Sequence, residues 1–583
     1  MINDASLVMI PSGYKDGKLY SVKPTDGSGD FTFSRGSNLA ATRVNSEGLI
    51  EKGRENRLLQ SNQFDTTWSK AGNLTSGQAG YDGTNDAWKI ESSSIGQETR
   101  VRQSQTFTTG EVISLSVYMK KGNVNFGIVR TYAISGGGRA WFDLENGTVA
   151  TENSGINGSI EDVGNGWYRC SIWGVINTTG SVDIAPAPDD NDYLSDAVGE
   201  FIYIQDAQLE AGLVATDYIE TTTTTAKAGI LEDMPRLNYG TCPSLLLEPQ
   251  RTNLFTHSEY FGGYSVNNGT ATANEIISPQ GISNGYKFTE NTGTSAHYID
   301  TTSISVTSGN DYVISVFGKY DGRFLTIQGS SSIISSNYAT FNLETGVVEQ
   351  ENIGDASIED YGNGWYRCIF KITATGTGSG VITILLNDSA TGGRSRSYTG
   401  DGTSGIYLYG LQIESGSYPT SYIPCYGAAT TRSQDYNLLS SASSIIGQNE
   451  GTAFIEFEID RTINGTTRAI TISDGGGNQR IGISLSTSVI YAFIVDGGVT
   501  QAEITKSTSP SGTYKAAIAY RLNDVVFYLN GEQVGTDTAA TMPTTNEIEL
   551  GNQFGASELG GGIKQAALFK TRLTNGELAA LTS

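Results

Sequence analysis

Residues 357–368 read SIEDYGNGWYRC, and residues 159–170 read SIEDVGNGWYRC. One position in twelve differs, so the chain carries an internal duplication, which has to be recognised before any fold is inferred. The local chemistry is legible in both copies. Asn-Gly inside Gly-Asn-Gly supplies the positive backbone angles of a tight hairpin turn. Trp-Tyr-Arg-Cys then opens a strand whose side chains alternate between faces.

Outward from these windows the match continues. Phe142-Asp-Leu-Glu-Asn-Gly aligns with Phe341-Asn-Leu-Glu-Thr-Gly, and Ser116-Val-Tyr-Met-Lys with Ser315-Val-Phe-Gly-Lys. Gln208-Leu-Glu-Ala-Gly aligns with Gln412-Ile-Glu-Ser-Gly, followed by Tyr-Ile at Tyr218 and Tyr422. At the front, Arg54-Glu-Asn and Phe64 match Arg251-Thr-Asn and Phe261. The offset drifts only from 197 to 204, so a whole domain occurs twice.

With 583 residues the chain has room for three to five domains, each with its own core. Charged residues are 17% of the total and glycines number 72, a composition that suits short strands joined by turns. The fold class is all-β: tandem antiparallel jelly-roll β-sandwiches, followed by a different C-terminal sandwich. The formal net charge of -24 argues against nucleic acid and anionic membrane surfaces. No stretch is long and apolar enough to span a bilayer, and the start lacks a signal-peptide pattern. Production in a cytoplasm is expected. The four cysteines, Cys170, Cys242, Cys368 and Cys425, do not cluster as zinc ligands or a disulfide framework would. Cys170 and Cys368 are expected as buried thiols in their own cores.

Five segments follow. Residues 1–55 are a leader with short strands at Leu19-Tyr-Ser-Val and Gly29-Asp-Phe-Thr-Phe, too polar to build a core alone. It is expected to pack on the first repeat or on a docking partner. Residues 56–220 and 251–430 are the two repeats, each with about eight strands and no helical periodicity. Residues 221–250 form an extended connector, in which Pro235 and Ser244-Leu-Leu-Leu-Glu-Pro disfavour helix. Residues 431–583 form a separate, self-sufficient sandwich. Its strands include Ala453-Phe-Ile-Glu-Phe-Glu-Ile and Val525-Val-Phe-Tyr-Leu before an Asn530-Gly531 turn. Thr574 and Glu577 have the spacing of a helix capping box.

The last segment resembles the concanavalin-like, laminin-G-like sandwich. Phe527-Tyr-Leu-Asn-Gly-Glu, Leu550-Gly551 and Gly562-Ile-Lys-Gln-Ala-Ala-Leu-Phe with a final helix carry that likeness. It implies glycan binding and leaves room for a structural calcium ion, whose ligands the sequence does not assign. The repeats resemble carbohydrate-binding-module jelly rolls through Gly-Asn-Gly-Trp-Tyr-Arg and Gln-Leu/Ile-Glu-x-Gly. The leader and connector resemble bacteriophage virion proteins of the tail-fibre or head-fibre type. That text is Asp30-Phe-Thr-Phe-Ser-Arg, Thr42-Arg-Val-Asn-Ser-Glu-Gly-Leu-Ile-Glu and Cys242-Pro-Ser-Leu-Leu-Leu-Glu-Pro-Gln-Arg-Thr-Asn-Leu. The resemblance implies a virion protein attached through its N-terminal part, a homotrimer, with other virion proteins and host-surface glycans as partners.

Trp167, Arg169, Trp365 and Arg367 are the structural signature of the repeat, because near-identical text kept through a divergent duplication points to scaffold. Trp141 and Tyr338 are the glycan-contact candidates. Alternation places both opposite the inward Phe142 and Phe341, and the repeats differ there, with Trp141 matched by Thr340. Glu161-Asp162 and Glu359-Asp360 are not a hydrolytic pair, since adjacent strand residues face opposite ways. Turn solvation or a structural ion explains them. Only two histidines occur, His257 and His297, and no catalytic residue is assigned. The expected function is a virion fibre or decoration protein displaying glycan-binding modules. A purely structural virion protein and a glycan depolymerase are the alternatives.

Overall fold

The computed structural model describes residues 2–583 apart from 38, 135–136, 240–242, 330–332, 334–336, 353–354, 460–462, 464 and 555–557. Cys242 therefore lies outside the described residues. The chain is almost wholly β. Asn575–Thr582 is the one α-helix among the described residues, too short to cross a membrane. Its capping box forms as expected: Thr574 N donates to Glu577 Oε2 at 2.8 Å, and Glu577 N donates to Thr574 Oγ1 at 3.3 Å.

Each repeat is a sandwich of two six-stranded antiparallel sheets. In the first, one sheet runs Ile156–Gly164, Trp167–Val175, Val112–Lys121, Phe201–Ala211, Ala87–Glu91 and Asn73–Gln78. In the second, the same order is Asp355–Asp360, Trp365–Thr373, Asp311–Asp321, Gly405–Ser415, Gly285–Glu290 and Gly269–Ile276. The facing sheets correspond strand for strand as well. Trp167 pairs with Lys120 and Trp365 with Lys319, so the tryptophans hold equivalent places. Both turns take positive φ at the same three positions, Gly164, Asn165 and Gly166, and Gly362, Asn363 and Gly364, which only glycine and asparagine tolerate readily. Cys170 and Cys368 are fully buried, one in each core, and burial pushes both thiols up.

The repeated motifs form one buried hydrogen-bond network twice over. Asn56 Nδ2 donates to the carbonyls of Ala207 and Ile219 at 3.1 and 2.8 Å, and Asn253 Nδ2 to those of Leu411 and Ile423 at 3.2 and 3.0 Å. Glu210 accepts from the backbone and hydroxyl of Thr216 at 2.8 and 2.6 Å, as Glu414 does from Thr420 at 2.6 and 2.7 Å. The asparagines tie the start of each repeat to its last strand and to the segment after it, and the glutamates tie that strand to the same segment. Asn56→Ala and Asn253→Ala each strand several buried partners, so each should cost about 1–3 kcal/mol per group left unpaired. Calorimetry should show two similar losses; a large cost in one copy and none in the other would deny the equivalence.

The leader and connector do not behave as separate pieces. Leu7–Met9 pairs with Gly561–Phe569, aligning Leu7 with Leu568. Phe31–Ser34 pairs with Tyr436–Leu439, aligning Thr32 with Leu438. Pro243–Leu247 pairs with Gly561–Phe569 on another stretch of the same strand. The C-terminal sandwich therefore consists of an eight-stranded and a nine-stranded sheet that draw on residues 7–34 and 236–247 as well as 436–569. Leu7, Met9, Leu19, Phe31, Phe33, Leu237, Leu245 and Leu247 are buried in its core. This corrects the expectation that the leader packs on the first repeat or on a docking partner, and that the C-terminal sandwich is self-sufficient. The leader has too little apolar surface for its own core, and it finds one by completing another sandwich.

Candidate functional site: an interdomain cleft

The aromatic candidates do not form a site. Trp141 is on the outer face that alternation predicted, yet it is only 2% exposed. Its indole Nε1 donates to the Asp192 carbonyl at 2.6 Å, and the ring packs with Ile128, Ala185 and Ala187. The loop carrying Asp192 covers it, so Trp141 has no free face for a sugar. Tyr338 is half-buried on Tyr338–Asn342, cross-strand from Gln328. Its structural equivalent is Arg139, whereas Trp141 corresponds to Thr340. The structure does not bring Trp141 and Tyr338 together, since they belong to different sandwiches.

The signature residues are scaffold. Trp167 packs with Tyr118 and Ala87, and Trp365 with Phe317, Tyr409, Tyr422 and Ile50 from the leader. Arg169 Nη2 donates to Ser116 Oγ and the Thr216 carbonyl at 3.1 and 2.5 Å, and Arg367 Nη2 to Ser315 Oγ and the Thr420 carbonyl at 3.0 and 2.8 Å. Asp162 and Asp360 cap their turns, accepting from the backbone of Gly164 and Gly362 at 2.8 and 2.7 Å. On the first repeat, Tyr81 stacks on Tyr118 at 3.8 Å and donates to Asp206 at 3.0 Å. Burial pushes the Asp206 carboxyl up to about 7. Among the described residues no group of three or more His, Cys, Asp or Glu side chains is arranged to hold a metal ion.

A cleft of about 1040 Å³ lies where four parts of the chain meet. Its floor is the outer sheet face of the second repeat. There Asp355, Ser357 and Glu359 alternate out of one strand, and Arg367, Ile369 and Lys371 stand cross-strand from them. The leader closes one end with Arg43, and the far wall is Glu458, Thr487 and residues 509–512 of the C-terminal sandwich. Tyr418 and Tyr361 supply half-buried aromatic surface. Tyr361 is held edge-on against Phe317 at 4.8 Å, and Arg251 lies over the Tyr418 ring at 5.3 Å. A groove of hydroxyls, carboxylates and aromatic faces can hold a polyhydroxylated chain by hydrogen bonding and ring contact. Asp355, Lys371 and Tyr418 were not singled out from sequence. The polar alternation at 355, 357 and 359 was a signal that this face is not core, but nothing local to it announces the opposite wall.

Residues 432–579 match the family model described as the Concanavalin A-like lectin/glucanases superfamily. No curated protein matches the chain. Among solved structures, the CBM40 of Ruminococcus gnavus IT-sialidase, bound to α2,3-sialyllactose, is 16% identical. It covers 24% of this chain and 87% of its own, with a TM-score of 0.22. The N-terminal CBM22-1-CBM22-2 tandem domain of Paenibacillus barcinonensis Xyn10C is 11% identical over 66% of this chain and 99% of its own, with a TM-score of 0.20. Domains LG4-5 of the mouse laminin α1 chain are 11% identical over 47% and 84%, with a TM-score of 0.16. The C-terminal segment of this all-β chain is thus a concanavalin-like sandwich.

Proposed function

We propose that this chain is a glycan-binding adhesion protein of a phage virion, a fibre or decoration component. The cleft between the second repeat and the concanavalin-like sandwich is its ligand site. The observation that carries the reading is that cleft: it is roomy, polar, rimmed by two tyrosines and walled by a lectin-like domain. The resemblance of the leader and connector to virion proteins supports the setting, with other virion proteins as partners and a homotrimer as the assembled form. Attachment through a loose N-terminal tail does not suit a leader that is folded into a sandwich, so the docking surface belongs to that folded unit. The role is binding rather than catalysis. Asp355 and Glu359 stand four residues apart on one strand, on the order of 13 Å along the backbone. That exceeds the roughly 5–9.5 Å between the two carboxyls of glycoside hydrolysis.

The test is a glycan array probed with the full chain and with Ser357→Trp, which fills the cleft from an exposed position and should leave thermal unfolding unchanged. The expected result is binding by the parent and a loss of about tenfold or more in the variant, equal to about 1.4 kcal/mol. Glycan binding undiminished by Ser357→Trp would move the site elsewhere. No binding by the parent would leave the chain a structural spacer.

A further inference from the structure

We propose that the cleft selects neutral and cationic sugars and rejects acidic ones, an inference that rests on the glycan-binding reading. The cations that line it are already engaged. The Arg43 guanidinium pairs with Glu51 at 2.7 Å, donates to the Tyr14 hydroxyl, and lies over the rings of Tyr14 and Tyr239. Lys371 pairs with Asp311 at 3.3 Å. Arg367 is buried, bonded to Ser315 and Thr420, and packed over the Phe317 ring at 5.6 Å.

Two of the acids are engaged as well. Glu458 on the far wall pairs with Lys564 at 3.0 Å, and Glu248 at the base pairs with Arg236 and Arg432, each at 2.8 Å. Asp355 and Glu359 remain. Both are exposed, and neither makes an ion pair within 4 Å among the described residues. Glu359 stands cross-strand from the buried Arg367, whose charge it helps to hold and whose Nη2 is taken by Ser315 and the Thr420 carbonyl. Across from them, Thr487 and residues 509–512 bring hydroxyl and backbone groups but no charge.

A ligand lying on this floor thus meets two carboxylates that want donors. Sugar hydroxyls satisfy them, and the ammonium of an amino sugar satisfies them better, because a charge-assisted hydrogen bond is the stronger kind. A uronate or sialate brings a further anion into a groove whose lining cations, among the described residues, are each ion-paired or hydrogen-bonded within the protein, and like charges in such a place repel. The whole-chain charge of -24 also disfavours acidic ligands, but that effect is long-range and is screened beyond about 8 Å at physiological salt. Discrimination by the cleft acts at contact and survives added salt.

The experiment is calorimetric titration of the full chain with three short oligomers, of glucosamine, N-acetylglucosamine and galacturonic acid, at about 0.15 M and about 0.5 M salt. The expected order is glucosamine first, then N-acetylglucosamine, with galacturonate about tenfold or more weaker than glucosamine at both salts. The double variant Asp355→Asn/Glu359→Gln should bring that ratio near one. A control pair on the first repeat, Asp65→Asn/Glu161→Gln, removes the same net charge and should leave the ratio as it was. Equal binding of all three oligomers, or a ratio that persists in the Asp355→Asn/Glu359→Gln protein, overturns the charge selection alone. No binding of any of the three overturns the glycan-binding reading and this inference together.

Discussion

A chain lacking residues 1–34 should lose its C-terminal sandwich while keeping both repeats folded. The truncation removes Leu7–Met9 from one sheet and three strands, Tyr14–Lys15, Lys18–Leu19 and Phe31–Ser34, from the other. It also removes Leu7, Met9, Leu19, Phe31 and Phe33 from the core, each no more than 1% exposed. Full burial of such a side chain is worth about 1.5–3 kcal/mol, so the five together are worth on the order of 10 kcal/mol. A whole domain is stable by only about 5–15 kcal/mol. The repeats draw little from residues 1–34, and their cores are separate clusters. Calorimetry of the truncated chain should therefore show the repeat transition without that of the C-terminal sandwich, and the protein should bind a dye for exposed apolar surface. A milder probe is Phe31→Ala, expected to cost about 3–5 kcal/mol. If the truncated chain keeps every transition of the parent, the leader strands are accessories rather than parts of that fold.

The leader's dual character explains what could and could not be read beforehand. The Phe31-Thr-Phe alternation marks a strand, and one forms there with both phenylalanines inward. Its partner, Tyr436–Leu439, lies about four hundred residues on. A strand's side-chain pattern specifies a face, whereas its backbone ladder accepts any partner of suitable register. Duplication removed that difficulty for the repeats, since two copies of one text have to adopt one topology. Trp141 shows the same limit on a smaller scale. Alternation gave its face correctly, but the loop around Asp192 that covers the ring lies some fifty residues away. The cleft was harder still. Its floor and far wall come from segments more than eighty residues apart, and only the packing of one sandwich beside another brings them together.

The knot that fixes this packing should be the most sensitive polar position in the molecule. Arg35 from the leader, Arg236 from the connector and Arg432 from just past the second repeat share two carboxylates, Glu248 and Asp435. All five side chains are buried. Asp435 accepts from Arg35 at 3.2 Å, from Arg236, and from the backbone N of Glu248 at 2.9 Å. Ser421 of the second repeat donates to Glu248 at 2.8 and 2.6 Å from its backbone and hydroxyl, so the cluster ties four parts of the chain at one point. Burial, opposed by Asp435 and reinforced by Arg236, brings the Arg35 guanidinium down to about 10, a sign that positive charge is crowded there. Asp435→Ala would leave three buried guanidiniums facing one carboxylate. Removing one member of a buried pair costs about 3–5 kcal/mol, much of it from the charge left behind. Arg35→Met removes charge from the crowded side, and Asp435 keeps Arg236, so its cost should be smaller than that of Asp435→Ala. Lys18→Ala, which breaks a pair with Asp30 whose lysine is 38% exposed, should cost no more than about 1 kcal/mol. Urea unfolding of the three variants checks this order. An Asp435→Ala protein as stable as Lys18→Ala would mean that the cluster is hydrated and does not hold the modules together.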